Sequence, residues 1–464
     1  MGAGVIGLKH HLLLTSSLLL NLFLSLSLFL FSPGPELGWS RTAASQAETV
    51  AAIDCSGHGR AFLDGTPVLD GEGRPPRCEC NTCYAGHDCS ELLPDCPADV
   101  DSGDPLFLEP YWRQHASASA VLVAGWHRMS YGTGGESNIC VELEKHIRLL
   151  HASVGNAIID GRFIVFGTGS TQLINAAVYA LSPDNSTSPP ATVVASAPYY
   201  PLYERQTTLF DSKENEWGGA TSACLNASAS STADFIEFVT SPNNPDGQLM
   251  EPALGGSSVI YDHAYYWPHF TSIPAPADGD LMLFTMSKVS GHAGSRFGWA
   301  IVKDESIYRR MYRYLELNTM GVSRDTQLRI LTIVKAIVAG MRRGGGDNIF
   351  LFGPRVMQER WRKVNELVSA SRRFSLQQLV PRYCTYFDSI RDPSPAYGWL
   401  KCEMEEDVDC KAVIRSGGII GRPGSAFGAD PRYVRLSLIK TQDDFDQLLG
   451  RLEALVAREG AASL

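Results

Sequence analysis

The stretch TMSKVSGHAGSRFGWAIV, residues 285–302, places a lysine and an arginine at the two ends of a loop rich in glycine and serine. Lys288 follows the apolar run LMLF, which is typical of a buried strand. Burial disfavours the charged form of an amine and makes it a better nucleophile. Arg296 comes eight residues later. The stretch therefore predicts a strand that delivers a reactive lysine, followed by a tight loop that ends at an arginine.

A second loop, FGTGSTQLINAA at residues 166–177, predicts an anion site. An apolar run stops there at a glycine-rich turn, and a helix is predicted from Thr171. The free N–H groups of the turn, the positive end of the helix and the hydroxyls of Ser170 and Thr171 suit a phosphate. A capped helix after an ordinary loop is the alternative, because the sequence is neither a Walker A motif nor a dinucleotide fingerprint.

Two further strand ends carry polar side chains. SPNNPDG, residues 241–247, follows the strand-like run FIEFV and has the composition of a turn, with Asn244 inside it. VIYDHAYY, residues 259–266, places Asp262 at the end of an apolar run and Tyr265 three residues later. A carboxylate in that position costs free energy unless it meets a cation or a hydrogen-bond donor.

These features together fit one ligand, pyridoxal 5'-phosphate. Lys288 would form the covalent link to this cofactor, and Asp262 would pair with its ring nitrogen, so that the ring withdraws electrons from the substrate. Asn244 and Tyr265 would hydrogen-bond the phenolic oxygen of the ring. Arg296 would bind the phosphate bidentately. Hydroxyl groups would complete the phosphate site, from Ser170, Thr171, Thr285 and Ser287.

The pattern around these motifs predicts an α/β fold. Apolar, β-rich runs alternate with helical stretches from FIVFG to RFGWAIV, which implies a largely parallel sheet covered by helices. From about residue 351, a helix over QERWRKVNELVSASRR and short strands ending in YVRLSLI predict a smaller α/β lobe. We therefore expect a catalytic region over residues 98–464, with a large domain at about 125–350 and a small domain at about 351–464 plus 98–124.

The N-terminus reads as an export signal. Lys9, His10 and His11 precede an apolar run at residues 12–31, so that residues 1–33 are typical of a secretory signal peptide. We expect cleavage within SRTAASQAET. Retention as a membrane anchor is the alternative, since about twenty apolar residues can span a bilayer. Residues 34–53 are predicted to be a linker.

Cysteine usage also favours the secretory pathway, that is the endoplasmic reticulum, the vacuole or the extracellular space. Six of the eleven cysteines lie within residues 54–97, a Gly/Pro-rich segment that predicts a disulfide-rich module. A zinc knuckle is the alternative, because Cys80 and Cys83 have CxxC spacing. Two glycosylation sequons, at Asn185 and Asn226, lie in segments predicted to be Ser/Pro-rich loops.

Nucleic acid is not an expected partner. The formal net charge of the 464-residue chain is −10, and no block of lysine and arginine offers phosphates a basic surface. No metal site is predicted either, because His263, His269 and His292 lack paired ligand spacing. A small-molecule substrate, here an amino acid, fits the composition better.

The order and spacing of the motifs resemble fold-type I pyridoxal phosphate enzymes. SKVSGHAGSRFGWA, GTGSTQLINAA, YDHAYYWPHF and YVRLSLIKTQDDFDQL resemble the plant alliinase and tryptophan aminotransferase-related family, and the cysteine module is similar to the EGF-like domain of alliinases. The resemblance implies the bridges Cys55–Cys78, Cys80–Cys89 and Cys83–Cys96, which sequence alone does not select. It also implies a Cys402–Cys410 bridge in the small lobe.

The resemblance assigns two tyrosines. In APYYPLY, Tyr200 would stack on the cofactor ring, with Tyr199 as its close competitor. In WHRMSYG, Tyr131 would reach the phosphate in the neighbouring subunit. The implied assembly is a homodimer with shared active sites.

The resemblance also assigns a substrate clamp. In RYVRLSL, Arg435 would bind the α-carboxylate of the substrate, for which a planar guanidinium is better suited than a lysine amine. Arg422 and Arg432 are the alternatives.

Two reactions are implied, and both begin with removal of the Cα proton by Lys288. One is transamination of an L-amino acid, by resemblance an aromatic one such as tryptophan, to indole-3-pyruvate on the route to auxin. The other is β-lysis of a cysteine sulfoxide, as in alliinases. We prefer transamination because it needs no specialised substrate. An inactive EGF-like binding protein is a third hypothesis, against which the intact set of site residues argues.

Overall fold

The structure is a computed structural model that describes residues 15–23, 49–50, 52–61, 78–123, 125–127, 129–131, 138–184, 188–228 and 234–462. The chain divides into two compact units, one over residues 1–53 and 63–76 and the other over residues 54–62 and 77–464. In the first unit, residues 15–23 form a helix whose residues are exposed. Within the described ranges, no helix is both long enough and apolar enough to cross a membrane.

The second unit begins with the disulfide-rich module. Its strands are short and pair as two antiparallel ribbons: β1 (Gly59–Ala61) with β2 (Cys78–Cys80), and β3 (Tyr84–Ala85) with β4 (Glu91–Leu92). The module contains the three bridges that the resemblance implied, Cys55–Cys78, Cys80–Cys89 and Cys83–Cys96. Strands of two or three residues bury little apolar surface, so covalent bridges carry much of the stability of such a module.

Polar contacts join this module to the rest of the second unit. Asp443, near the start of the last helix, accepts a hydrogen bond from Asn81 at 2.7 Å and pairs with Nδ1 of His58 at 3.0 Å. Directly after the module, β5 (Ala98–Asp99) pairs in parallel with β17 (Ile419–Ile420). The chain therefore passes from the module straight onto the C-terminal lobe.

The large lobe is built on a seven-stranded sheet. Its strands are β6 (Phe163–Gly167), β7 (Ala191–Ala195), β8 (Asn215–Ala220), β9 (Phe235–Thr240), β10 (Ser258–Asp262), β11 (Leu281–Thr285) and β12 (Gly298–Val302). Their order is β6-β12-β11-β10-β9-β7-β8. Only β12 is antiparallel to its two neighbours. The predicted, largely parallel sheet is thus confirmed, although the edge strand β8 was not predicted.

Helices cover both faces of this sheet. In β11, Met282 and Phe284 point into one hydrophobic core, whereas Leu283 points into the other. The helices of this part of the chain are Glu109–Gln114, Ala116–Ser119, Val141–Val154, Gly169–Leu181, Leu202–Phe210, Thr221–Ser228, Met286–Val289, Glu305–Thr319 and Arg324–Arg343, with 3-10 turns at Leu106–Leu108, Ala293–Ser295 and Gly345–Asp347. Two apolar faces explain why the central strands read as continuous hydrophobic runs.

The C-terminal lobe carries a second, four-stranded antiparallel sheet. It contains β13 (Phe374–Leu376), β16 (Tyr397–Cys402), β18 (Arg422–Pro423) and β19 (Tyr433–Ser437), in the order β13-β16-β19-β18. Separately, β14 (Arg382–Cys384) and β15 (Ser389–Arg391) form a hairpin. The helices are Ile349–Ser369, Cys410–Ser416 and Gln442–Ala462, with a 3-10 turn at Gly424–Phe427. The Cys402–Cys410 bridge ties the end of β16 to the start of a helix.

Three local expectations need correction or fall outside the described ranges. The helix expected from Thr171 begins at Gly169. Asn226 lies in the helix Thr221–Ser228 rather than in a loop, because Ala223, Leu225 and Ala227 favour a helix despite the serines around them. Asn185 lies outside the described residues.

Candidate active site

The site forms where neighbouring parallel strands of the large sheet end. Thr240, Asp262 and Thr285 are the last residues of β9, β10 and β11, and Asp262 stands directly beside Thr240 in the register. The carboxyl ends of parallel strands share one edge of a sheet, which is the usual place for a ligand in an α/β fold. A cavity of about 240 Å³ lies at this edge.

Nearly all the predicted site residues line this cavity. They are Ser170, Thr171, Tyr200, Asn244, Asp262, Tyr265, Thr285, Ser287, Lys288, Arg296 and Arg435. Tyr131 is the exception: it is 76% exposed and lies outside the cavity. Its predicted place in the site of a neighbouring subunit stays a prediction.

Lys288 projects into the cavity from a short helix. The helix Met286–Val289 follows β11 directly and is capped by Thr285, whose hydroxyl accepts a hydrogen bond from the Ser287 backbone N–H at 3.2 Å. The Lys288 amine donates to the carbonyl of Gly103 at 2.6 Å. Burial lowers the pKa of Lys288. The neutral, nucleophilic form of the amine is therefore more accessible than that of a lysine in water.

Asp262 is a buried carboxylate held by neutral donors. It accepts hydrogen bonds from the Tyr203 hydroxyl at 2.8 Å and from the Ala264 backbone N–H at 3.0 Å. Burial raises the pKa of Asp262, and these two hydrogen bonds offset part of that rise. In the described part of the chain Asp262 forms no salt bridge, and the charge of Lys288 is the one cationic influence that lowers its pKa. A cationic ligand atom at this position would supply the missing partner.

Ser170, Thr171 and Arg296 form a second part of the cavity wall, which is called the anion cradle below. The helix Gly169–Leu181 begins there, and a guanidinium nitrogen of Arg296 lies 3.4 Å from the Thr171 hydroxyl. Gly169 has φ +73°, and a Cβ at this position would overlap the Arg296 guanidinium. Only a glycine lets the helix N-terminus approach the arginine this closely. Ser170, Thr171 and Arg296 thus converge as the sequence predicted.

Tyrosine rings line the middle of the cavity. Tyr200 lines it, whereas Tyr199 does not and instead donates a hydrogen bond to Glu204 at 2.9 Å. The hydroxyl of Tyr265 lies 2.5 Å from that of Tyr397. Of the two tyrosines that competed for the ring, only Tyr200 is placed to meet a ligand here.

Arg435 is the best placed of the three candidate clamps. It is buried, and it donates to Asn244 Oδ1 at 3.0 Å and to the carbonyl of Asp101 at 2.6 Å. Its Nε is buried without a hydrogen-bond partner. Arg422 also lines the cavity, but the Asp101 carboxylate binds it on two nitrogens. Arg432 lies outside the cavity and donates to the carbonyl of Cys402.

Several lining residues were missed by sequence reasoning. They are Gly103, Asp104, Thr240, Ala264, Ala293 and Tyr397. Tyr203, which supports Asp262 from behind, was also missed. Tyr200 precedes the helix Leu202–Phe210, and a turn in which the Tyr203 N–H donates to the Tyr200 carbonyl at 3.2 Å holds the two residues close together. No local signal marks Tyr397, which comes from the other lobe.

Comparisons with known proteins identify the family of this chain. The family described as "Allinase" matches residues 98–456, and the "Alliinase EGF-like domain" matches residues 38–96. Tryptophan aminotransferase-related protein 4 of Arabidopsis thaliana is 50% identical over 457 residues, covering 97% of each chain. Alliin lyase of Allium cepa is 52% identical over 428 residues, covering 91% of this chain and 88% of its own.

The chain belongs to the alliinase family. Solved structures with the same fold as this alliinase-family chain include a multiple substrate aminotransferase from Thermococcus profundus, with a TM-score of 0.56 and 14% identity over 79% of this chain and 92% of that chain. Aspartate aminotransferase of Thermus thermophilus, as a double mutant, matches with a TM-score of 0.54 and 14% identity over 78% and 92% of the two chains. The fold is that of fold-type I pyridoxal phosphate enzymes, as predicted.

This alliinase-family protein is a pyridoxal phosphate-dependent enzyme, and its cavity suits that cofactor. The hydroxyls and guanidinium at one end suit the phosphate. The buried Asp262 forms no salt bridge in the described ranges and suits the ring nitrogen. The Lys288 amine lies in the same cavity, where it suits the aldehyde.

Proposed function

We propose that the protein is an L-amino-acid aminotransferase that converts an aromatic amino acid, such as tryptophan, into its keto acid, indole-3-pyruvate, on the route to auxin. The observation that carries this proposal is that Lys288, Asp262 and Arg435 line one cavity. The likeness to tryptophan aminotransferase-related proteins supports the aromatic substrate.

Each of the three residues has a distinct task. Arg435 binds the α-carboxylate of the substrate, for which its unpartnered Nε and its fixed, buried position suit it. Lys288 removes the proton from the α-carbon, since its pKa is lowered and it lies in the same cavity. Asp262 keeps the ring nitrogen protonated. When bound, pyridoxal phosphate withdraws electrons from the α-carbon and so makes its proton acidic.

Further residues position the cofactor. Arg296, Ser170, Thr171, Thr285 and Ser287 bind the phosphate, and all five line the cavity. On the ring side, Tyr200 stacks against the ring. Asn244 and Tyr265 bind its phenolic oxygen. The Oδ1 of Asn244 already accepts from Arg435, so its NH₂ group remains to donate.

Cysteine sulfoxide C–S lysis is the second candidate. The observation that favours it is the 52% identity to alliin lyase of Allium cepa, which is as high as the identity to the aminotransferase-related proteins. Lysis needs the same carboxylate clamp, the same removal of the α-proton and the same cofactor. The two candidates differ in whether a leaving group departs from Cβ.

Product analysis separates the two reactions. Purified protein loaded with pyridoxal phosphate is given either tryptophan with pyruvate, or alliin alone, and keto acids are identified. We expect indole-3-pyruvate from the first mixture. Pyruvate from alliin, with no aromatic keto acid from tryptophan, would overturn the aminotransferase assignment in favour of the lyase. The Lys288→Ala variant is the control, and it should form neither product nor the visible absorbance of the lysine-bound cofactor.

We also propose that the protein enters the secretory pathway through a cleaved signal peptide, carries glycans at Asn185 and Asn226, and acts as a homodimer. In the dimer Tyr131 completes the phosphate site of the neighbouring subunit, which its exposure allows. Co-expression tests this sharing: Tyr131→Ala and Lys288→Ala are each inactive alone, but a mixed dimer restores one intact site. Activity no higher than that of the separate variants would contradict it.

The division of the chain is proposed as the sequence predicts it. The EGF-like domain covers residues 54–97 and the catalytic region residues 98–464. The two sheets support a large domain at about 125–350 and a small domain at about 351–464. The pairing of β5 with β17 supports the assignment of residues 98–124 to the small domain.

A further inference from the structure

Tyr397 is a buried cavity residue to which the proposed function assigns no task. It is the first residue of β16, it is 3% exposed, and it lines the cavity. Its ring stacks on the clamp arginine, because the guanidinium carbon of Arg435 lies 4.1 Å from the ring centroid. The hydroxyl of Tyr397 therefore stands next to the place where the substrate's carboxylate binds.

The hydroxyl of Tyr397 also lies close to Lys288. A Cβ on Gly103 would lie 2.7 Å from the Tyr397 hydroxyl oxygen and 3.5 Å from the Lys288 amine nitrogen. The two polar atoms thus lie near the same side of Gly103, and both residues line the cavity. An amino acid whose carboxylate is held by Arg435 would place its α-amino group one carbon further on, within the cavity that Tyr397 and Lys288 line.

The charges around Tyr397 lower the pKa of its hydroxyl. Burial alone would raise the pKa of Tyr397, but the positive charges of Lys288 and Arg435 and the hydrogen bond from Tyr265 hold the pKa below the ordinary value of a tyrosine. Burial raises the pKa of Tyr265 well above its ordinary value, so of the two neighbouring hydroxyls that of Tyr397 ionises more readily. The other titratable or charged groups that line the cavity are Asp104, Tyr200, Asp262, Arg296 and Arg422.

The incoming substrate needs a base in this place. At neutral pH an amino acid carries its α-nitrogen as an ammonium group, which has no free electron pair with which to react with the cofactor. Lys288 would hold the cofactor covalently at this stage, and Asp262 would pair with its ring nitrogen. The charge of Arg435 would then still favour the phenolate of Tyr397. Asp104 also lines the cavity, but a carboxylate is a much weaker base than a phenolate, so Tyr397 is the stronger base for the ammonium.

We propose that Tyr397 is a catalytic base that removes a proton from the α-ammonium group of the substrate. An N–H bond of the ammonium breaks, its electron pair stays on nitrogen, and the proton forms an O–H bond on the phenolate of Tyr397. The inference rests on the proposed function only in requiring an amino acid substrate, so it holds for transamination and for C–S lysis alike.

The Tyr397→Phe variant tests the inference, because it keeps the ring over Arg435 and removes only the hydroxyl. With holoenzyme, kcat/KM is measured from pH 6 upward for tryptophan with pyruvate and for alliin. We expect kcat/KM to fall about a hundredfold near neutral pH, the usual scale for a lost general base. The deficit should shrink as the pH rises, because hydroxide then deprotonates the substrate without help from the enzyme.

Tyr386→Phe is the matched control. Its hydroxyl accepts a hydrogen bond from Asn348 at 2.9 Å away from the cavity, so this variant also loses one tyrosine hydroxyl contact. Its kcat/KM should equal that of the wild type. If kcat/KM of Tyr397→Phe were lower than that of the wild type by the same factor at every pH, or not lower at all, the inference would be overturned.

A second substitution keeps the test decisive if Tyr397→Phe does not fold or does not bind the cofactor. Replacement of Tyr397 by 3-fluorotyrosine preserves the hydroxyl and lowers the pKa of the phenol. The acidic limb of the kcat/KM profile should then move to lower pH, and an unmoved limb would overturn the inference. A wild-type holoenzyme that converts neither probe would instead overturn the proposed function itself.

Discussion

Tyr203 donates a 2.8 Å hydrogen bond to Oδ2 of Asp262; both side chains are buried, and Tyr203 lies outside the cavity that Asp262 lines. Two other contacts fix Tyr203: its ring stacks on Phe238 with centroids 4.0 Å apart, and its hydroxyl lies 2.6 Å from that of Thr240. A donor held this firmly stabilises the ionised carboxylate. Tyr203 therefore acts as a positioning residue for the aspartate that meets the ring nitrogen.

Removing this donor should change the pH dependence of the enzyme. In Tyr203→Phe, the hydrogen bond that lowers the pKa of Asp262 is lost while burial still raises it. The carboxylate then becomes protonated at a higher pH, so the acidic limb of the kcat/KM profile should move to higher pH. Tyr266→Phe, which loses a 2.7 Å hydrogen bond to the carbonyl of Ala275, is the control. The same acidic limb in both variants would contradict the positioning role.

The anion cradle gives a second prediction. Gly169→Ala should weaken cofactor binding, because the residue has φ +73° and the added Cβ would overlap the guanidinium of Arg296. Displacing that guanidinium loses a charge-assisted contact, and we expect the Kd for pyridoxal phosphate to rise on the order of tenfold. Titration of apoenzyme, followed by cofactor absorbance, measures it. Gly294→Ala is the control in the neighbouring loop, since a Cβ there meets nothing within 4 Å.

The substrate clamp gives a third prediction. Arg435 donates to Asn244 and to Asp101 from two different nitrogens and still has Nε to offer. A lysine has no fork that could do the same, so Arg435→Lys should lower kcat/KM by about a hundredfold, mainly through KM. Arg432→Lys, outside the cavity, should leave kcat/KM unchanged. If Arg432→Lys were the damaging variant, the assignment of the clamp would be wrong.

The sequence predicted the parts of the site that lie at strand ends. Lys288 and Asp262 each follow a continuous apolar run, and such runs mark buried strands whose ends share one edge of the sheet. The sequence also predicted the glycine-rich turn before the helix Gly169–Leu181. In these cases the side chain and the strand or turn that positions it lie within a few residues of each other, so the sequence alone was sufficient to predict them.

Other parts of the site depend on tertiary contacts that no local pattern records. The carbonyl of Gly103 accepts a hydrogen bond from Lys288, which is 185 residues away in the sequence. The hydroxyls of Tyr397 and Tyr265 are hydrogen-bonded although the two residues are 132 positions apart. Distinguishing Tyr200 from Tyr199 also required the fold. The edge strand β8 was missed because NEWGGA has few branched or aromatic residues and two glycines, a composition that an edge position tolerates.

Buried histidines give the last prediction, which concerns stability. Burial lowers the pKa of His151, His263 and His269 to about 4. The contacts of His151 also fit the neutral form, because its Nε2 accepts a hydrogen bond from the Trp299 indole at 2.9 Å and has no room there for a second proton.

In the unfolded chain these histidines take up protons near pH 6.5, whereas in the folded chain they stay neutral until about pH 4. The free energy of unfolding is therefore unaffected by them above pH 6.5 and decreases as the pH falls from 6.5 toward 4. The loss should be about 2 kcal/mol per histidine at pH 5. Thermal unfolding of the wild type should therefore show a Tm that falls steeply between pH 7 and pH 5. His151→Gln should reduce that slope, whereas His87→Gln, which changes a side chain that is 91% exposed, should not. A slope unchanged by His151→Gln would show that protonation of this buried ring does not control acid stability.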